Sequence, residues 1–318
     1  MPFGGVQLIA VGDFLQLPPV KRSDDKVFCF QSPIWEACGF NTRSGTFILE
    51  VVERQKDQTM VRFLNQVRLG QVSKELQTAL DKCLVAHKPK PTNGIIPTKL
   101  YSINREVNAE NEARLAELEG PLETVHAVDR YKVVPTKTVP FSYYSEKLDG
   151  LIPSKIDLKI GAQVMLLRNR LDRAPGGSMQ SSSLVNGSRG QVVGFSESIL
   201  AKGMMVPTVQ FDNGLVATIG PVEYVYKIPN SDGVIVRFQV PIKLAWAATI
   251  HKSQGSTLSC AELMLGNTFD YGQAYVALSR VKDFDGLWLS EPMQSRSVKA
   301  SPIVLDFYGY SSPSLTYD

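Results

Sequence analysis

GGVQLIAVGDFLQLPPV, residues 4–20, opens with a short apolar run rich in β-branched residues, set between a Gly-Gly pair and Gly12-Asp13. Such a run reads as a buried parallel strand that ends in a loop, the position at which open α/β sheets carry their sites. Gln16 lies three residues beyond Asp13, and Pro18-Pro19 stop any helix. The strand begins within five residues of Met1, so this reading expects further sequence upstream of the chain.

Residues 47–52 (FILEVV) read as a second buried strand, leading into Glu53-Arg54-Gln55. An amphipathic helix is expected over 58–68, closed by Leu69-Gly70, and Ser73 caps another that runs to about residue 84. Residues 98–103 read as a strand, and 104–118 as a helix with Val107, Leu115 and Leu118 on its apolar side. Residues 120–153 show mixed polarity and several prolines and read as an irregular connection. A strong strand over 160–167 is followed by Arg168, Arg170 and Arg173 and a flexible stretch over 174–183. These arginines fit either a solvated loop or a surface facing a nucleic-acid backbone. Five short β-patterned runs follow, at 190–195, 207–211, 215–219, 224–228 and 234–240, with a hairpin turn at Asp212-Asn213-Gly214. Their spacing suggests a small antiparallel barrel inserted into an α/β pattern.

The last third carries two compact polar stretches, LAWAATIHKSQGSTL at 244–258 and GQAYVALSR at 272–280. In the first, Lys252, Ser253 and the backbone at Gly255 offer an anionic oxygen a charge, a hydroxyl and amide donors. The second ends an apolar element on Arg280, a candidate phosphate clamp or a surface ion pair. Arg54, between a strand and a helix, is equally a helix-entry ion pair or a phosphate ligand.

The chain has 318 residues, which favours two domains or more. Hydrophobic residues make up 43% and charged residues 20%, ordinary for a soluble globular protein, and the formal net charge is +3, so any basic groove must be local. The four cysteines form no C-x-x-C pair and the three histidines are scattered, which disfavours zinc and fits reduced thiols in an intracellular protein. No apolar run approaches the roughly 18 residues of a membrane span. No signal peptide is legible at the N-terminus.

Gln16, Arg54, the 249–255 cluster and Arg280 are all donors, with no carboxylate pair placed for acid–base work. Donors converging from separate strand ends suit a polyphosphate. Phosphoryl transfer asks mainly for positioning and charge neutralisation, with an amide such as that of Gln16 to orient water. An apolar strand followed by Asp is shared with the metal-holding strand of P-loop enzymes, but no second carboxylate follows Asp13. The chain contains no G-x-x-x-x-G-K-[ST] and no apolar run ending in Asp-Glu.

These stretches resemble the superfamily-one DNA helicases of the petite-integration-frequency (PIF) type, relatives of the RecD subunit. GGVQLIAVGDFLQLPPV is similar to the family's motif three and EVVERQKDQ (50–58) to motif four. LVNGSRGQVVGF (184–195) is similar to the opening of the small barrel in the second motor domain, and the two late stretches to motifs five and six.

The resemblance implies an α/β fold of the RecA-like, P-loop NTPase type. Residues 1–52 would be the tail end of a first RecA-like domain, 53–168 with 241–318 the second, and 184–240 the inserted β-barrel. It implies an ATP-dependent helicase moving 5′ to 3′ on single-stranded DNA and acting on forked or structured DNA. Gln16, Arg54 and Arg280 would sense and clamp the γ-phosphate, and Gln254 and Gly255 would couple the nucleotide to the DNA. Thr249, His251, Lys252 and Ser253 would touch DNA phosphates. For His251 a core position is the alternative to the groove, which its polar neighbours favour. ATP and Mg2+ are the implied cofactors, with the magnesium ligands outside this chain. The resemblance further implies a monomer in the nucleus or mitochondrion that serves repair, recombination and telomere maintenance. The chain would then be a fragment, inactive alone, that lacks the phosphate loop and Asp-Glu strand. The competing expectation is a non-catalytic single-strand-binding or regulatory protein derived from a helicase.

Overall fold

The structure is a computed structural model that describes residues 2–19, 27–40, 42, 45–91, 95–135, 140–169, 184–198, 203–266 and 268–310. Arg170, Arg173 and the stretch 174–183 lie outside these. The chain divides into two compact units. The first comprises Met1–Pro89, Lys99–Ile103 and Thr249–Asp318, and the second Lys90–Thr98 and Asn104–Ala248. These limits do not coincide with the sequence boundaries at 52, 168, 184 and 240.

In the first unit the Gln58–Arg68 helix starts where the Asp57 carboxylate accepts a hydrogen bond from the Thr59 amide at 2.8 Å. It ends at Leu69, before Gly70 in the left-handed conformation (φ 77°). Met60, Phe63, Leu64 and Val67 are buried, an i, i+3, i+4, i+7 stripe, and the helix packs on the Gln273–Leu278 helix. Ser73 caps the next helix, Lys74–Asp81, by accepting from the Leu76 amide at 3.2 Å. Within this unit the Ala261–Leu263 strand lies between Thr98–Tyr101, of which residues 99–101 belong here, and Leu287–Leu289, with which it pairs in parallel. Leu263, Leu287 and Leu289 are fully enclosed, each contributing about 2 kcal/mol of burial. A ring cluster of Phe14, Phe28, Phe30, Trp35, Phe307 and Tyr308 closes around Leu15, with Phe30 stacked on Phe307 at 4.1 Å.

The second unit is antiparallel. One sheet is ordered Ile242–Leu244, Gln163–Leu166, Arg189–Glu197, Met205–Phe211, Val216–Thr218. A second is ordered Val128–Val133, Val234–Gln239, Val222–Lys227, and Glu123–His126 pairs Lys155–Leu158. Leu158, Val164, Leu166, Val192, Val209 and Ile242 form part of its core. Arg237, 2% exposed, grips Asp129 with Nε at 2.7 Å and Nη2 at 2.8 Å, pairs with Asp149, and donates to the Ile152 carbonyl at 2.8 Å. No helix among the described residues is long and apolar enough to cross a membrane.

Four expectations are corrected. Residues 6–12 form no strand: Val6, Ile9 and Val11 are 72%, 77% and 89% exposed. Residues 47–52 likewise stay irregular, with Phe47 and Leu49 exposed. Both runs have strand propensity, but among the described residues no ladder lies beside either, and a strand exists only through its partner's hydrogen bonds. Residues 120–153 hold two strands and the short Ser145–Leu151 helix rather than an irregular connection. The five β-patterned runs do form strands, but they divide between two sheets.

Candidate functional site

The Asp13 carboxylate organises the turn after Gly12. It accepts from the Leu15 amide at 3.1 Å, while the Gln16 amide donates to the Asp13 carbonyl at 3.1 Å. Arg68, at the end of its helix, grips the same carboxylate through Nε (3.1 Å) and Nη2 (2.9 Å). Burial lowers the Arg68 guanidinium's proton affinity, but the paired Asp13 more than offsets this, and the net shift is upward. The Phe14 amide donates to the Tyr308 hydroxyl at 3.3 Å. The turn is therefore held from three sides, and it presents the Gln16 side chain, whose Oε1 accepts from Nε2 of Gln254 at 3.1 Å.

Gly272 caps the Gln273–Leu278 helix with φ 68°. A Cβ there would lie 2.4 Å from the Gln16 carbonyl oxygen and 2.5 Å from that of Leu15. The helix therefore seats directly against the Gln16 turn, and only glycine permits it. That helix brings Tyr275 and Arg280 to a cavity of about 190 Å³ that Gln16, Arg54, Gln55 and Ser279 also line.

The two arginines carry the electrostatics. Arg54 donates through Nε to the Thr257 hydroxyl at 2.9 Å and through Nη1 to the Ser279 carbonyl at 3.0 Å. Arg280, 3% exposed, donates to the carbonyls of Val276, Ser253 and Ser256 and to the Ser279 hydroxyl. Among the described residues neither has a carboxylate within 4 Å; every acceptor is neutral. Burial lowers the proton affinity of Arg54, and burial together with the neighbouring Arg54 charge pushes Arg280 down to about 10. Two neighbouring like charges, Arg280 buried and Arg54 half-buried, with no carboxylate beside them among the described residues, make a site suited to an anion.

The 249–255 cluster divides by exposure. Thr249 and Ser253 are buried and engaged in their own turn: the Thr249 hydroxyl accepts from the Lys252 amide, and that of Ser253 donates to the Ile250 carbonyl. Lys252, Gln254 and Gly255 are exposed and His251 is half-buried. Gly255 sits at φ 82° with open space where a Cβ would go.

Gln16, Arg54 and Arg280 are thus brought to one cavity, with Gln254 bonded to Gln16, while His251 and Lys252 do not line it. Sequence reasoning missed Gln55, which is 4% exposed and donates to the Ser279 and Val281 carbonyls at 3.2 and 2.7 Å. It also missed Tyr275, a polar-tipped ring within an otherwise apolar helical run, which was the available signal.

A PIF1-like helicase model matches residues 1–78, and a model of the DNA helicase Pif1 2B domain matches 145–195. The ATP-dependent DNA helicase PIF1 of Homo sapiens is 40% identical over 310 residues, 96% of this chain and 44% of that protein. The chain therefore spans less than half the length of the curated relatives it first matches. A crystal structure of Pif1 helicase from Candida albicans matches with a TM-score of 0.71 at 30% identity, covering 98% of this chain and 70% of that one. A crystal structure of Pif1 helicase from Bacteroides in complex with ADP-AlF3 and single-stranded DNA matches with a TM-score of 0.61 at 25% identity, covering 97% and 67%.

Proposed function

Because the chain belongs to the PIF1-like helicase family and shares its RecA-like α/β fold, we propose that it is the sensing and clamping half of an ATP-dependent DNA helicase moving 5′ to 3′. The observation that carries this is the pair Arg54, half-buried, and Arg280, buried, bonded among the described residues only to neutral acceptors. A terminal phosphate supplies the counter-ion they lack. Arg54 and Arg280 hold its oxygens and neutralise charge as it develops, and the Gln16 amide orients the attacking water. Gln254, bonded to Gln16, passes the state of that amide through Gly255 to the DNA-facing turn. His251 and Lys252 hold DNA phosphates, with Thr249 and Ser253 shaping the turn that carries them. The cavity lining includes one carboxylate, Glu53, which pairs with Lys56 at 3.3 Å, so these residues make no magnesium cradle. On this reading the magnesium ligands and the phosphate loop lie outside these 318 residues.

Tripolyphosphate, which presents the terminal anion without the nucleoside, tests the site. The intact chain is expected to bind it by calorimetry, and Arg54→Gln or Arg280→Gln to weaken binding about tenfold or more, as expected when a charge-assisted hydrogen bond is removed. Unchanged affinity in both variants would remove the basis of the proposal. The chain by itself is expected to turn over no ATP, with or without single-stranded DNA; measurable turnover would overturn the placement of the phosphate loop elsewhere.

For the DNA track, the double variant His251→Ala with Lys252→Ala is expected to weaken single-strand binding. It is also expected to flatten the salt dependence, by about 0.7 in the log–log slope for each DNA phosphate left without its cation. An unaltered slope in a fluorescence-anisotropy titration would show that the DNA runs elsewhere. A chain that binds DNA with that slope yet ignores tripolyphosphate would favour the non-catalytic, strand-binding reading. The polarity is read from strand displacement on 5′- and 3′-tailed duplexes by the intact helicase, expected on the 5′ tail alone.

A further inference from the structure

The cavity that holds Arg54 and Arg280 is also lined by Tyr275. Its carbonyl accepts from the Ser279 amide at 2.9 Å, but among the described residues its hydroxyl has no hydrogen-bond partner. The helix that carries it is seated on the Gln16 turn through Gly272 and ends beside Arg280. Tyr275 is therefore carried by the same assembly as Gln16 and Arg280.

We propose that the Tyr275 hydroxyl is a further ligand of the bound polyphosphate, donating a hydrogen bond to an oxygen of its terminal group. This deepens the anion-site reading above and rests on it. A third guanidinium here would repel two cations already crowded in one desolvated cavity. A neutral hydroxyl adds a donor without adding charge, so it strengthens the hold on an anion at no electrostatic expense to the empty site. The phenol is a donor throughout the physiological range. Burial pushes its ionisation upward, and the Asp13 carboxylate pushes the same way, against the opposing pull of Arg68, Arg280 and Arg54.

The experiment uses the intact 318-residue chain and tripolyphosphate. Wild type, Tyr275→Phe and Arg54→Gln are titrated by calorimetry, and the tyrosine ultraviolet difference spectrum is recorded at saturation. Tyr275→Phe is expected to weaken binding about tenfold with an unchanged thermal midpoint. Wild type is expected to show a tyrosine perturbation on binding that Tyr275→Phe lacks. If Arg54→Gln weakens binding while Tyr275→Phe does not, the tyrosine assignment falls and the anion site stands. A bound wild type with no tyrosine perturbation overturns the assignment without recourse to any variant. If wild type binds no tripolyphosphate, the anion site and the assignment fall together.

Discussion

Gly272→Ala is expected to destabilise the first unit by about 3 kcal/mol or more and to abolish tripolyphosphate binding. Two costs combine. A side chain at φ 68° is in the left-handed region, which costs an L-residue about 1–2 kcal/mol. The new Cβ would also lie 2.4–2.5 Å from two backbone carbonyl oxygens, those of Gln16 and Leu15. Backbone cannot rotate aside as a lysine tip would, and overpacking of this kind costs about 1–3 kcal/mol. The relief available is to push the Gln16 turn away, and that takes the amide out of the cavity. Gly255→Ala supplies the comparison: φ is 82°, but nothing lies within 4 Å, so the conformational cost alone applies, about 1–2 kcal/mol. Urea unfolding of the two variants checks the difference. Equal losses would show that the close approach at Gly272 is immaterial. A Gly272→Ala protein that still binds tripolyphosphate normally would sever the helix cap from the site.

Arg237→Ala is expected to cost the second unit about 2–4 kcal/mol, below the 3–5 typical of breaking a fully buried pair. The guanidinium is 2% exposed, yet Asp129 and Asp149 are 21% and 45% exposed, so water partly solvates what the missing arginine leaves behind. The loss is still large, because two pieces of chain, the Val128–Val133 strand at Asp129 and the end of the Ser145–Leu151 helix at Asp149 and Ile152, meet on this one side chain. Arg237→Lys keeps the charge but loses the bidentate fork and is expected to fall between the two. Urea unfolding reads both variants, and an Arg237→Ala protein within 0.5 kcal/mol of wild type would show the cluster to be incidental.

What was legible in the sequence had local causes. The Gln58–Arg68 helix carries its own start in Asp57, its own stop in Leu69-Gly70 and a 3.6-period stripe between them, so its limits follow from adjacent residues. The hairpin at Asp212-Asn213-Gly214 was legible for the same reason: Gly214 takes φ 86° and donates to the Phe211 carbonyl at 2.9 Å. Val128–Val133 was not, because its side chains are mostly wet on both faces. Its strand character comes from a ladder to Val234–Gln239, about a hundred residues away, and from the Asp129–Arg237 pair. The opposite error, at 6–12 and 47–52, arose where propensity was present and, among the described residues, no partner strand lies alongside. For the site, polar residues in apolar surroundings pointed to Gln16, Arg54 and Arg280. Tyr275 passed for core because an aromatic ring in an apolar helix looks the same whether or not its hydroxyl has a bond to make.

The course of the chain limits how evolution or a protein engineer can take this molecule apart. The backbone changes unit four times, at 89/90, 98/99, 103/104 and 248/249. The five residues Lys99–Ile103 are lent back to the first unit, where the enclosed Leu100 accepts from the Met264 amide at 3.1 Å. A clean deletion from 90 to 248 would carry off a strand of the sheet it was meant to spare. A transplant of the same segment would bring along a strand made for another host. The second unit is therefore not a cassette that recombination can shuffle freely. Loops within it can lengthen and diverge, but its attachment is inherited together with the sheet it interrupts.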